Sequence, residues 1–217
     1  TTPRVSRFAL HEVALDAVAV LDAAAVASAD VLGISMGGMI SQELALSAPQ
    51  RVSRLVLTCT SCGRRPGVRP SPVVIGRLLR GVSSSTGGGS VEQIAKRFSG
   101  VLFSPETPEN RRIEFFRPRL DAAAGQLDGA RPTLGGIASQ LLAVRAFASH
   151  PRLSGVSQRA LVIHGRDDVL LPPRNAEVLA AALPRAELSI LPGGHVFFFE
   201  HHDAYVDRVR TFLGAAA

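Results

Sequence analysis

From Leu10 to Ala25 apolar residues recur at helical spacing, with His11, Glu12, Asp16 and Asp22 between them, which predicts an amphipathic helix. Ala29 to Ile34 is a short, largely apolar run and predicts a strand, which leads into Gly33-Ile34-Ser35-Met36-Gly37-Gly38. A second helix is expected from about Gly37 to Ser47, ending before Pro49 because the residue preceding a proline disfavours helical dihedrals. Val52 to Thr58 predicts another buried strand. Strand, helix and strand in short succession imply parallel pairing through a crossover, the α/β pattern.

The alternation then stops. Residues 62–82 are dense in proline and glycine, and residues 83–90 (Ser-Ser-Ser-Thr-Gly-Gly-Gly-Ser) read as a flexible connection. Helical segments are expected near 91–103, 108–124 and 136–149. Strand and helix alternate again afterwards, with strands at Ala160 to His164 and Ala186 to Leu191 and helices at 173–183 and 204–213. The organisation predicted is an α/β core in two parts, 1–61 and 151–217, interrupted by a helical insertion at 62–150.

Charge sharpens this division. The 217 residues carry 24 Lys+Arg and 18 Asp+Glu, a net charge of +6. Residues 62–150 hold 13 basic and 6 acidic residues, +7, and the other 128 hold 11 and 12, −1. The basicity belongs to the insertion, and only Lys96 among the basic residues is a lysine. There is no block of five like charges and no RNA-binding aromatic signature, so nucleic acid is not the expected partner. No apolar run approaches membrane-spanning length, so no membrane partner is expected either. Cys59 and Cys62 form a Cys-x-x-Cys, but four zinc ligands cannot be assembled around it, so both are expected as reduced thiols without metal, Cys59 ending a buried strand and Cys62 in the loop after it. Reduced thiols fit a cytoplasmic location.

Gly33-x-Ser35-x-Gly37 stands at a predicted strand-to-helix junction, where a tight reversal needs glycines and leaves the serine hydroxyl exposed at the helix N-terminus. Met39-Ile40 stand where a phosphate-binding loop requires Lys-Ser/Thr, which excludes nucleotide binding. A serine hydroxyl needs a base to take its proton and a carboxylate to orient that base. Gly165-Arg166-Asp167-Asp168 offers acids just past one strand, and Gly193-Gly194-His195 offers a histidine just past the next. Each residue has a plainer reading: Ser35 as a helix N-cap, Asp167 and Asp168 as helix starters, His195 as a loop residue. His164 reads as a strand-end residue, His201 and His202 as surface, and Phe197 to Phe199 as core or pocket wall.

In the order nucleophile, acid, histidine, the chain resembles the α/β-hydrolase family, with nearest likeness to 3-oxoadipate enol-lactonase-like and small esterase-like members. Gly-Ile-Ser-Met-Gly-Gly, His-Gly-Arg-Asp-Asp-Val-Leu-Leu-Pro and Pro-Gly-Gly-His-Val-Phe-Phe-Phe-Glu carry the resemblance. It implies a mostly parallel sheet flanked by helices, with a helical cap at 62–150. It implies Ser35 as nucleophile, Asp168 as acid in preference to Asp167, His195 as base, and the Met36 backbone N–H as an oxyanion-hole donor, with no cofactor.

Family members carry further strands before the nucleophile and a His-Gly loop that supplies a second oxyanion donor. Only 34 residues precede Ser35, and the first is Thr1. The sequence therefore reads as a fragment lacking the N-terminal strands, in preference to a naturally shortened relative, and in either case an apolar, unpaired edge is expected at 29–34. Loss of one oxyanion donor costs on the order of 100- to 1000-fold, so the chain alone is expected to be weak or inactive.

The expected activity is hydrolysis of an ester, lactone or thioester through an acyl-enzyme. The alternatives are a cofactor-free haloperoxidase-like or C–C bond hydrolase using the same triad, or a hydrolase-like module that binds without turnover. The partner is a small acyl substrate, and an anionic one fits the basic insertion. Arg65, Arg69, Arg77, Arg80, Arg111, Arg112, Arg117, Arg119 and Arg145 are candidates to grip a carboxylate, because guanidinium matches its geometry. A solvated outer face is the plainer reading of each.

Overall fold

The computed structural model describes residues 9–63, 66–86, 90–125 and 134–214. Its strands are β1 (Ala29–Ile34), β2 (Val52–Thr58), β3 (Arg159–Gly165) and β4 (Ala186–Leu191). They form one sheet in the order β1-β2-β3-β4, with every neighbouring pair parallel. Ile34 lies opposite Thr58, and Thr58 opposite Ile163, so the C-terminal ends of the first three strands share one edge of the sheet.

Both faces of the sheet are covered, which is why β2 and β3 are nearly continuous apolar runs. On one face α1 (Leu10–Ala23), α2 (Met36–Ser47) and α7 (Arg174–Ala182) pack Ala14, Leu44, Ala45, Ala176 and Leu179 against Leu55, Leu57, Ala160 and Val162. On the other, α9 (His202–Phe212) packs Tyr205, Val209 and Phe212 against Val56, Leu161 and Ile163. Alternate residues of β2 and β3 thus serve opposite layers, as the two-residue repeat of a strand requires. Among the described residues β1 pairs only with β2, and its Leu32 is 46% exposed.

Between β2 and β3 lie α3 (Pro72–Thr86), α4 (Val91–Leu102), α5 (Glu109–Gly125) and α6 (Leu134–Ala146). α3 packs on α4, and α4 on α5. The helix α3 lies where no helix is expected from the sequence, and its last residues, 83–86, correct the reading of 83–90 as a flexible connection. Ser71 Oγ accepts the Val74 N–H at 3.3 Å and Pro72 opens the helix, a position where its missing N–H costs nothing. The helix continues through Thr86. Ser90 is the N-cap of α4, exchanging hydrogen bonds with Gln93 in a capping box, and Gly87 to Gly89 lie outside the described residues. A Ser-Pro helix start was therefore present in the sequence, hidden by the surrounding prolines and glycines.

Past β4 the chain makes a short helix α8 (Phe197–Glu200) before α9. Phe197 is fully buried in the sheet-facing core, whereas Phe199 packs against the cluster that holds Phe103, just past α4, and Phe115 and Phe116 of α5. His201 and His202 are exposed.

Candidate active site

A single residue separates β1 from α2. Ser35 has φ 54° and ψ −117°, a conformation that costs a non-glycine residue about 1–3 kcal/mol and persists only where its surroundings hold it. They do so here. The Ser35 N–H donates to the Thr58 carbonyl at 2.8 Å, and its carbonyl accepts from the Thr60 hydroxyl at 2.7 Å and the Gly38 N–H at 3.0 Å. Its hydroxyl makes no capping bond, so the N-cap alternative is not realised.

The glycines divide differently from the simple expectation. A Cβ on Gly33 would stand 2.4 Å from the Gly37 carbonyl oxygen, and one on Gly38 2.7 Å from Thr60, but one on Gly37 would meet nothing within 4 Å. The tight turn requires Gly33 and Gly38, not Gly37.

Asp168 lies in the loop after β3 and is 2% exposed; His195 lies in the loop after β4 and is 6% exposed. His195 Nδ1 is 2.7 Å from Asp168 Oδ2. The other oxygen, Oδ1, accepts the N–H groups of Leu170 at 2.9 Å and Leu171 at 2.8 Å. Burial pushes the Asp168 carboxyl upward, but His195 and His164 beside it outweigh burial and hold it well below the usual carboxylate range. Asp167 is exposed and accepts from the Ser104 hydroxyl at 3.1 Å, so the two adjacent acids have different partners.

Ser35 stands at the end of β1 on the same sheet edge. The structure thus joins Asp168 to His195 directly, while no hydrogen bond links the Ser35 hydroxyl to either. Met36 opens α2, where first-turn N–H groups have no acceptor within the helix.

A family model described as the alpha/beta hydrolase fold matches residues 1–202. The chain belongs to the α/β-hydrolase family. It is 31% identical over 185 residues to a pimeloyl-acyl-carrier-protein methyl ester esterase of Nitrosomonas europaea, covering 81% of this chain and 68% of that protein. It is 31% identical over 212 residues to a 2-hydroxymuconate semialdehyde hydrolase of a Pseudomonas species, covering 92% and 67%. The chain spans about two thirds of the length of such relatives, and 64% of a 2-hydroxy-6-oxononadienedioate hydrolase from Dechloromonas aromatica. Among solved structures, a hydrolase from Pseudomonas aeruginosa is 30% identical with a TM-score of 0.73, covering 96% of this chain and 73% of that one. An enol-lactonase from Burkholderia xenovorans, at 23% identity and TM-score 0.70 over 98% of this chain and 75% of that one, shares the fold.

In this hydrolase the acid and histidine loops are tied to the inserted helices by residues for which sequence reasoning assigned no role. Glu200 accepts the Gly194 N–H at 2.6 Å, the Ser104 N–H at 2.8 Å and the Thr107 hydroxyl. The Val196 N–H donates to the Leu102 carbonyl at 3.0 Å, and the Asp167 N–H to the Gly193 carbonyl at 2.9 Å. Glu200 falls inside the Gly-Gly-His-x-x-x-x-Glu run, so its spacing was a usable signal. Ser104 carried none.

Cys59, His164 and Asp168 place their donor atoms within 4.8 Å of one another, all buried. The set is poorly suited to a metal. Oδ1 already accepts two N–H groups and Oδ2 meets His195 and His164 at 2.7 and 3.1 Å, and burial together with the Asp168 charge pushes the Cys59 thiol well up, away from the thiolate a metal needs. Both cysteines are free and buried.

Of the candidate arginines, Arg111 lies 4.5 Å over the Phe199 ring and pairs with Glu114 at 2.6 Å. Arg112 donates to the Pro105 carbonyl, and Arg117 faces Glu92 at 3.9 Å. Arg69, Arg77, Arg80 and Arg145 are exposed, whereas Arg65 and the Arg119 side chain lie outside the described residues. A cleft of about 620 Å³ opens among Leu10, Glu43, Ala143, Arg145 and Phe147, and neither Ser35, Asp168 nor His195 lines it. Among the described residues no helix is long and apolar enough to cross a membrane.

Proposed function

We propose that this chain carries the catalytic triad of a serine hydrolase that cleaves an ester, lactone or thioester, with Ser35 as nucleophile, His195 as base and Asp168 as the residue that orients it. The observation that carries the reading is the buried contact of 2.7 Å between His195 Nδ1 and Asp168 Oδ2. A carboxylate accepts, so Nδ1 bears the proton and the free lone pair is on Nε2, the nitrogen a serine base needs.

Ser35 Oγ attacks the substrate carbonyl as Nε2 takes its proton. The negative charge on the tetrahedral oxygen is met by the Met36 N–H at the start of α2. Nε2 then gives its proton to the leaving oxygen or sulfur, leaving Ser35 acylated. A water molecule, deprotonated by the same nitrogen, attacks the acyl carbon and restores the serine.

The helices at 62–150 act as a cap that selects the substrate. In support, the aromatic cluster of α4 and α5 packs directly on Val196, Phe198 and Phe199, the residues that follow the histidine. The positive charge of this segment favours an anionic acyl substrate.

Fluorophosphonate labelling tests the nucleophile: one label per chain, lost in Ser35→Ala, supports the reading, and undiminished labelling of that variant refutes it. A second reading, C–C bond hydrolysis, draws on the likeness to the 2-hydroxymuconate semialdehyde hydrolase. Product analysis on an ester panel and on a ring-cleavage dienoate distinguishes the two.

A further inference from the structure

His164 ends up fully buried in β3, with Nε2 2.7 Å from the Leu171 carbonyl and 3.1 Å from Asp168 Oδ2, while Nδ1 has no partner. Two oxygen acceptors converge on Nε2, so the ring carries its proton there. An unpartnered buried Nδ1 is a cost that an apolar residue would avoid, which makes packing an insufficient reason for a histidine at this place.

The Asp168 carboxylate has about four lone-pair sites; three take hydrogen bonds, and His164 Nε2 stands 3.1 Å from Oδ2. Leu170 and Leu171 hold Oδ1, and His195 and His164 share Oδ2. Leu171 appears on both sides of this arrangement, since its N–H donates to Asp168 and its carbonyl accepts from His164. Asp168, Leu171 and His164 therefore form a closed circuit, made of two hydrogen bonds through Leu171 and the 3.1 Å approach of His164 Nε2 to Asp168 Oδ2, and His195 meets the same oxygen from outside it.

We propose that His164 is a positioning residue for Asp168: its Nε2–H, pinned by the Leu171 carbonyl, sets the plane in which the carboxylate meets His195. Without that contact, the hydrogen bond left at Oδ2 is the one from His195, the ring it has to orient, with the Cys59 thiol beside the carboxylate. The catalytic part of this inference rests on the triad reading above; the positioning part does not.

The test compares His164→Met, which fills the space without a donor, with His164→Gln, whose amide N–H reaches the same acceptors. The readouts are kcat and KM on an ester substrate and the downfield proton resonance of the His195 Nδ1–H. His164→Met is expected to shift or broaden that resonance and to lower kcat about tenfold to a hundredfold, the worth of one hydrogen bond to a charged group, with KM little changed. His164→Gln is expected to keep both near wild type. If the Met variant does not fold, His164→Asn, whose shorter amide falls short of the acceptors, takes its place. Wild-type behaviour of the donor-free variant, or equal loss in it and in His164→Gln, overturns the proposal. Absence of fluorophosphonate labelling in the wild-type chain would instead overturn the hydrolase reading, and the resonance would still report on His164.

Discussion

Gly165, at the end of β3, and Gly194, beside the candidate base, are in backbone contact: a Cβ on Gly165 would stand 2.1 Å from the Gly194 carbonyl oxygen. The loops bearing Asp168 and His195 are thus seated on each other with no side chain between them. Gly194 is equally confined, because a Cβ there would come within 2.6 Å of the Leu102 carbonyl oxygen.

Gly165→Ala must push the two loops apart, since the opposing atoms are backbone and cannot rotate away. Overpacking of this kind costs about 1–3 kcal/mol. The expected result is a lower urea midpoint together with reduced kcat, and a variant matching wild type in both would show that the loops yield more easily than their contact implies.

Asp168→Asn replaces the acceptor that fixes the His195 tautomer, and a fall in kcat of about 10,000-fold is expected by the logic of a serine triad. The carboxylate also gives stability a pH dependence. Its native pKa is depressed below the ordinary 3.8, so its contribution is complete above that value and is lost as pH falls through the lower native one. The difference in unfolding free energy between wild type and Asp168→Asn should be flat near neutrality and shrink in acid below pH 3.8. A difference that shrinks already near neutral pH would contradict the depressed pKa.

Glu200 gathers three donors from two segments, so Glu200→Gln leaves all three without an ionised acceptor and sets an amide NH2 against at least one of them. Each hydrogen bond to a charged group is worth about 1.5–3 kcal/mol. Faster amide exchange at Gly194 and Ser104 is expected, with kcat reduced through the histidine loop. Unchanged protection at both amides would remove Glu200 from this role.

Both thiols should resist alkylation in the native protein. Burial pushes Cys62 up to about 11, and burial with the neighbouring Asp168 charge pushes Cys59 well up, so both stay in the thiol form. Iodoacetamide at mildly alkaline pH is expected to leave both unmodified until concentrated urea is added. Rapid labelling of either without denaturant would mean that the β2 end opens locally.

The elements with one-sided chemistry were readable in the chain itself. The apolar runs of β2 and β3, the helical spacing of α1 and the order serine, acid, histidine all depend on neighbours in sequence or on composition, so they predict an α/β core and three candidate residues. The helix α3 was obscured because the proline at its first turn is compatible with a helix while the same residue elsewhere breaks one, a difference of position that composition does not carry.

What only the tertiary structure decided is which groups meet. Asp167 and Asp168 are not separated by residue type, and the family resemblance alone favours Asp168; in the fold one faces solvent and Ser104 while the other is buried against His195, because the turn after Gly165 sends consecutive side chains in different directions. His164 reads as an ordinary strand-end residue until the fold brings Leu171 and Asp168 to its Nε2. Ser104 and Glu200, 96 positions apart, carry no joint signal along the chain. Hydrogen bonds across such separations follow from the closure of loops over a shared sheet edge, and that closure is a property of the packed molecule.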